Sequence, residues 1–239
     1  MTSIVVVGDI HGNARALRAA LAQAEAGPVD QTVFIGDLLT YGHDVNEVLD
    51  LVGESQEKRG AVLLTGNHDQ MYFDLAAGER QYLDKLPQWI RDSVELTVQK
   101  FDPASLRRRF DWKLQWTIEG ALFAHANPFA FGDFRYLNST DDQEDALRAL
   151  GERRARVGVF GHTHRPLWRP GAVTLANAGS VGQPRDSQGA VILRLHLDER
   201  HVTGAFEPVV YDVDAHIQGL LRSGLPDPTA RRLCGFFQQ

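Results

Sequence analysis

One cysteine, Cys234, and two methionines are all the sulfur in this 239-residue chain. A lone thiol excludes an internal disulfide framework and fits a reducing compartment. It also rules out zinc sites built from several thiolates. No stretch reaches the roughly 18 apolar residues of a membrane span. Basic residues are not in excess, the formal net charge being -6, which argues against a surface that coats nucleic acid and leaves room only for a local basic pocket. Nothing resembling a basic, then apolar, leader precedes the first apolar run, and no repeat or low-complexity linker divides the chain. We therefore expect one soluble, cytoplasmic domain over residues 1–239, with no membrane partner; the sequence leaves a homo-oligomer open. The 43% hydrophobic content is ample for its core.

Against these absences stand five short apolar runs, each ending in side chains that bind metals. They are Val5-Val6-Val7-Gly8-Asp9-Ile10-His11, Val33-Phe34-Ile35-Gly36-Asp37, Val62-Leu63-Leu64-Thr65-Gly66-Asn67-His68-Asp69, Leu122-Phe123-Ala124-His125 and Val157-Gly158-Val159-Phe160-Gly161-His162-Thr163-His164. Aliphatic runs without polar alternation read as strands buried on both faces. If they lie side by side in one sheet, their C-terminal ends bring Asp, Asn and His together along one edge, where open α/β sheets carry their sites.

Between the runs the pattern turns helical. Asn13 suits an N-cap for a helix through Ala26, closed by Gly27-Pro28, and Val45, Val48, Leu49 and Val52 recur at helical spacing before Gly60. The order βαβαβ implies parallel strands with right-handed crossovers. Residues 71–116 read as a helical insertion beside the site, and 141–152 as a further helix. Ala172–Leu175, Ala190–Leu197 and Val202–Val210 alternate more and read as antiparallel strands of a second sheet. A last amphipathic helix is expected over 213–222.

Asp9 and His11 are two apart, as are His162 and His164, and alternate residues of an extended backbone point the same way. With Asp37, Asn67 and His125 they make seven candidate ligands, too many for one ion, whereas two ions sharing a bridging carboxylate would use all of them. The mixed N/O donors suit Mn²⁺ first, with Fe, Zn²⁺ and Ni²⁺ as alternatives. Two divalent ions less two carboxylates and one hydroxide leave net positive charge, which fits phosphate.

Taken in order, Gly8-Asp9-Ile10-His11-Gly12-Asn13, Gly36-Asp37, Gly66-Asn67-His68-Asp69, His125 and Gly161-His162-Thr163-His164 resemble the signature of calcineurin-like metallophosphoesterases. Gly36–Gly42 and Asn177–Asp186 are similar to its compact prokaryotic branch. The resemblance implies an α/β fold, a four-layer αββα sandwich of two mixed sheets flanked by helices. It implies Asp9, His11 and His164 on one metal, Asn67, His125 and His162 on a second, and Asp37 bridging, with a hydroxide between the ions attacking phosphorus. It implies His68 as proton donor to the leaving oxygen or stabiliser of the equatorial charge. The serine/threonine protein phosphatases of the superfamily carry an Asp-Arg pair after the bridging Asp. Thr40 and Tyr41 stand there instead, which argues against a phosphoprotein substrate.

Arg185 is a candidate for gripping phosphate and Tyr41 for touching substrate, against the plainer readings of a turn and an exposed loop residue. Asp69 and Asp74 are candidate partners for the ligands. Trp89, Trp112 and Trp116 could stack on a base, although packing a helical cap is the commoner use. Arg135 and Tyr136 lie on a loop that could overhang the site, Arg107-Arg108-Arg109 read as a solvated helix face, His43 could touch substrate like Tyr41 although an exposed loop residue is the plainer reading, and His196, His201 and His216 are left without a role. The expected function is a phosphatase or phosphodiesterase acting on small phosphorylated molecules or nucleotides, dinucleoside polyphosphates among them. A nuclease and a non-catalytic scaffold are the alternatives; the acidic balance opposes the first, and the retained ligands oppose the second.

Overall fold

The computed structural model describes residues 1–238. In chain order it contains β1 (Thr2–Val7), α1 (Ala14–Glu25), β2 (Gln31–Phe34), α2 (Val45–Arg59), β3 (Val62–Leu64), α3 (Asn67–Ala76), α4 (Gln88–Val98), α5 (Pro103–Arg109), β4 (Trp112–Lys113), β5 (Gln115–Ile118), β6 (Ala121–Ala124), α6 (Thr140–Glu152), β7 (Val157–Phe160), β8 (Pro166–Arg169), β9 (Thr174–Ala178), β10 (Val191–Leu197), β11 (Val202–Pro208), α7 (Val213–Leu221) and α8 (Asp227–Cys234). The strands form two mixed sheets, ordered β11-β10-β1-β2-β3-β4 and β5-β6-β7-β9-β8.

Alternation along the strands builds the layers. Ile4, Val6, Val33, Ile35, Val62 and Leu64 turn inward to meet Phe123, Val157, Val159 and Ala176 of the facing sheet. Val5, Val7, Phe34 and Leu63 turn outward onto Leu17, Ala20, Val48 and Val52 of α1 and α2. On the opposite side Leu122, Phe160 and Leu175 receive Ala146 and Leu150 of α6. Both faces of each central strand are thus buried between a helix layer and a sheet, which explains why these strands lack polar alternation. The result is the αββα sandwich. Asn13 caps α1 as expected, its Oδ1 accepting from the Ala16 N–H at 3.0 Å, and Gly60 ends α2 in the left-handed region at φ 63°.

Four expectations about the chain's layout need correction. The five ligand-bearing runs are not in one sheet: β1, β2 and β3 belong to the first and β6 and β7 to the second, so the ligands converge from two sheets whose strand ends meet. Residues 190–197 and 202–210 are not in the second sheet. They form β10 and β11, which extend the first sheet antiparallel from β1, with Thr2 opposite Leu197. An alternating edge strand reads the same whichever sheet it joins, so the pattern could not choose. The helical stretch after residue 71 ends at Arg109, and Trp112 and Trp116 lie on the short strands β4 and β5. Finally, α7 is followed by α8, which starts with Asp227-Pro228; at eight residues it is too short for periodicity to reveal.

Candidate metal centre

At the sheet ends the backbone is bent into conformations that side chains seldom tolerate. Asp9 (φ 42°), His11 (48°), Asp37 (55°), Thr40 (75°), Tyr41 (68°), His162 (67°) and His164 (59°) are all left-handed. Each costs on the order of 1 kcal/mol or more, and strain of this kind persists where surrounding structure enforces it and function uses it. Two glycines permit the close approach. A Cβ on Gly66 would fall 2.1 Å from Asp37 Oδ1, and one on Gly161 would fall 2.6 Å from Asp9 Oδ2.

Backbone hydrogen bonds tie the loops together. Asp9 accepts from the His162 N–H at 3.1 and 3.2 Å, linking the two sheets. Asp37 Oδ1 accepts from the His68 N–H at 2.8 Å. Asp69 clamps the loops that carry Asp37 and Asn67, accepting from the backbone N–H of Asp37 (2.7 Å), Leu38 (3.1 Å) and Gly66 (2.9 Å). Of the two candidate partner carboxylates, Asp69 is therefore a positioning group, while Asp74 takes a bond from Gln70 on its own helix.

All seven candidate ligands are buried, and their donor atoms fall into two groups that share Asp37. Asp9, His11, Asp37 and His164 offer atoms mutually within 4.8 Å, as do Asp37, His125 and His162. Asn67 Oδ1 is 3.0 Å from His125 Nε2 and joins the second group. The ring protons can be assigned. His11 Nδ1 is 3.1 Å from Leu39 O and His164 Nδ1 is 2.7 Å from Gln183 O; a carbonyl only accepts, so each Nδ1 carries its ring's proton. The two Nε2 atoms then face each other at 3.0 Å with no proton between them. Burial, foremost, holds both imidazoles well below their ordinary pKa, with the Arg185 charge acting the same way. Opposed lone pairs at that distance repel unless a cation accepts both, so the residues fit a bound cation here. In the second group His125 Nδ1 donates to Ile35 O (2.8 Å) and His162 Nε2 to Phe134 O (2.9 Å), which turns His125 Nε2 toward Asn67 Oδ1 and Asp37 and leaves His162 Nδ1 as that ring's unprotonated nitrogen.

The charges follow. Burial, then the neighbouring Asp37 charge, push the Asp9 carboxyl up to about 7 against the pull of His125. Burial opposes the Asp37 charge too, but His125, His68 and His11 outweigh it and hold this carboxyl well below its usual range. His125 shows the converse: burial would lower it, but Asp37 and Asp9 raise it to about 9. Burial and the His125 charge lower His162 to about 3.

His68 stands beside these groups. Its Nε2 is 3.1 Å from the Tyr41 hydroxyl, and its Nδ1 is buried with no partner in the protein. Tyr41 is not the exposed loop residue that its position suggested. It is buried, stacked on Trp89 with ring centroids 5.2 Å apart, and its N–H donates to Ser93 Oγ at 2.5 Å. Burial raises the Tyr41 pKa far above its ordinary value, so the phenol keeps its proton. With the phenol donating to Nε2, the His68 proton sits on Nδ1; with Nε2 donating to the phenol, it sits on Nε2.

The remaining candidates divide. Arg185 donates to Gln183 Oε1 at 3.0 Å, lies over the Phe236 ring, and leaves Nε buried without a partner. Its charge bears on Asp9, His11, His68, Tyr41 and His164. Tyr136 stacks on His162 at 4.1 Å, while Arg135 turns away to Asp145 and the Phe129 ring. Trp112 packs on Phe73 and Phe110, and Trp116 on Phe123; neither reaches the centre. Arg109 pairs with Asp50 at 2.5 Å and Arg107 covers Phe73. Sequence reasoning missed Tyr82. It is half exposed, and its hydroxyl pKa is raised by burial and then by Tyr136 and Asp37, against a hydrogen bond with Asn67. No spacing in the chain marks it.

This arrangement accords with comparison to known proteins. Residues 2–200 match the model of the calcineurin-like phosphoesterase superfamily domain. The chain belongs to that superfamily. An uncharacterized protein of Methanocaldococcus jannaschii is 26% identical over 96% of both chains. A symmetrical bis(5'-nucleosyl)-tetraphosphatase of Photorhabdus laumondii is 39% identical over a shorter stretch, 32% of this chain and 27% of that protein. A crystal structure of a metallophosphoesterase from Sphaerobacter thermophilus superposes with a TM-score of 0.76 at 22% identity, covering 98% of this chain and 99% of that one. Among the described residues, no helix is long and apolar enough to cross a membrane.

Proposed function

We propose that this chain hydrolyses phosphate esters or anhydrides of small molecules, nucleotides included, with two divalent ions, Mn²⁺ foremost, held by Asp9, His11 and His164 on one side and Asn67, His125 and His162 on the other, Asp37 being common to both. The observation that carries the reading is the pair of proton-free Nε2 atoms of His11 and His164, 3.0 Å apart and buried. Two such ions supply a water of lowered pKa as nucleophile and neutralise phosphoryl charge. The protein's own groups do the rest. His68, its proton placed on Nδ1 by Tyr41, donates to the leaving or an equatorial oxygen; burial lowers its basicity, so it acts as a neutral donor until a phosphate anion binds beside it. Arg185 grips a second phosphoryl oxygen. Tyr82 and Tyr136, 47% and 43% exposed, offer faces on which a base can stack. The nucleotide preference rests on those tyrosines and on the tetraphosphatase relative, which makes dinucleoside polyphosphates the first substrates to try.

The test is a panel of aryl monoesters, aryl diesters, cyclic nucleotides and dinucleoside polyphosphates with Mn²⁺-loaded protein. Fewer than about one transition ion per chain after loading would sink the two-ion reading. Asn67→Ala should lose an ion. His68→Ala should keep both and lose roughly 10²–10⁴-fold in kcat on poor leaving groups; full turnover there would remove His68 from the mechanism.

A further inference from the structure

Two residues beyond Tyr41, His43 and Asp44 meet His216 of α7, and none of the three belongs to the centre described above. One donor atom from each lies within 4.8 Å of the others. His43 Nε2 is 3.2 Å from Asp44 Oδ1, and the two imidazole rings are 5.2 Å apart. Among the described residues, six buried side-chain polar atoms lack a hydrogen-bond partner, and three of them are here: Nδ1 of His43, Oδ2 of Asp44 and Nδ1 of His216. Leaving such atoms unpaired carries a full desolvation penalty, which a cation accepting their lone pairs would relieve. The His216 residue is only 1% exposed. Asp44 holds the N-cap position of α2, where a carboxylate ordinarily accepts from the first turn, yet its side chain makes no cap bond. The His43 ring also packs directly on the α7 backbone, since a Cβ on Gly219 would fall 2.0 Å from its Nε2.

The protonation state suits a metal. Burial, then the His43 and Arg15 charges, lower His216 to about 3. Burial likewise lowers His43, with Lys100 and Arg15 acting the same way against the opposing charges of Asp44 and Glu47. Both rings thus present lone pairs.

We propose that His43, Asp44 and His216 form a separate mononuclear site for a divalent transition ion of the zinc class. Two imidazoles and one carboxylate at about 2.0–2.2 Å leave a fourth, tetrahedral position for water. Donor atoms on such an ion are roughly 3.3 Å apart, and one donor atom of each residue already lies within 4.8 Å of the others. The site ties α7 to the loop between β2 and α2. Helices α7 and α8 in turn cover Tyr41, which packs with Leu220, Leu225, Ala230 and Leu233. An ion held there steadies the loop that presents Tyr41 to His68.

The experiment is a zinc count by mass spectrometry on the full chain after loading and dialysis, for the wild type, His216→Asn and Asp44→Asn, with a map of anomalous scattering at the zinc edge from wild-type crystals. Each variant should bind one ion fewer per chain than the wild type, however many the seven-residue centre holds, and the map should show a peak between His43 and His216. Equal counts in all three proteins, or no anomalous peak at that place, would overturn the proposal. Asparagine at position 44 is close to isosteric and removes no cap bond, so this variant and the wild-type map decide the matter even if His216→Asn does not fold.

Discussion

Removing one oxygen from Tyr41 is the sharpest probe of how His68 is set. In Tyr41→Phe the ring keeps its stacking on Trp89 and its place against Leu220 and Leu233, and the backbone bond to Ser93 is untouched. What goes is the 3.1 Å bond to His68 Nε2. Since His68 Nδ1 already lacks a protein partner, both ring nitrogens are left unsatisfied, and nothing selects the tautomer that puts the proton on Nδ1. A buried polar group stripped of its partner costs about 1–3 kcal/mol. If that cost appears in the transition state, kcat falls roughly 5- to 150-fold. The assay compares steady-state hydrolysis of aryl phosphate esters with good and poor leaving groups, at constant metal content measured on the same samples. Metal content should not change, KM should change little, and the loss should be greatest for poor leaving groups. In Tyr41→Phe/His68→Ala the two losses should not add, because Tyr41 acts only through His68. Undiminished kcat on the poorest leaving group, or full additivity in the double variant, would refute the assignment.

Three further outcomes follow from the same structure. Gly66→Ala drives a Cβ to 2.1 Å from Asp37 Oδ1 and 2.6 Å from its backbone nitrogen; overpacking of this kind costs about 3 kcal/mol, so thermal melting should drop and bound metal should fall, and unchanged metal content would show that Asp37 is free to move. Loading the metal-free protein at pH 8 should release protons, because His125 is raised to about 9 and is still protonated there; affinity should rise with pH up to about 9, by as much as tenfold per unit for one displaced proton. Calorimetry in buffers of differing ionisation enthalpy that finds no proton release contradicts this. Arg194→Met removes a buried guanidinium that donates to Glu207 and to the carbonyls of Pro28, Gln23 and Ala24, and should cost about 3 kcal/mol in denaturant unfolding. Because hydrogen bonding to Arg194 lowers the Glu207 pKa below 4.5, the pair's contribution is complete above the unfolded-state pKa and is lost as pH falls through the folded one. The difference between wild type and variant should therefore shrink only below about pH 4.5; a difference that shrinks nearer pH 7 would point to another group.

The clustered candidate ligands could be picked out in the chain because each follows a short buried strand, and burial on both faces writes an apolar run that needs no partner to be recognised. Asp9, His11, Asp37, Asn67, His125 and the paired His162 and His164 stand out in this way. What could not be read was which strands share a sheet. Leu122–Ala124 and Val157–Phe160 look like Val5–Val7 because each is sandwiched between a sheet and a helix layer, and that environment is the same on either side of the molecule. The error had a chemical consequence: ligands on one sheet edge would lie in a row, whereas ligands from two facing sheets can surround a site. Tyr41 reads as exposed in the sequence for a related reason. Its burial comes from α7 and α8, more than 170 residues away in sequence, and α8 is too short to show periodicity.

The departure at Thr40 and Tyr41 then takes on a different meaning. Where relatives that act on phosphoproteins carry Asp-Arg, this chain carries a threonine whose hydroxyl bonds Tyr72 at 2.8 Å and a tyrosine that bonds His68. Both side chains turn into the protein, and both backbones are left-handed. A hydroxyl pair in place of an ion pair brings no charge to the loop, so the field at His68 is set by Asp37, His125 and Arg185. His68 can then be oriented without being made more basic. A neutral, well-oriented imidazole beside a cationic centre donates a hydrogen bond readily and holds a proton poorly, and its pKa rises only when an anion arrives. In the proposed mechanism the chain would therefore hold His68 in its donor form by geometry and leave the substrate's own charge to raise its basicity.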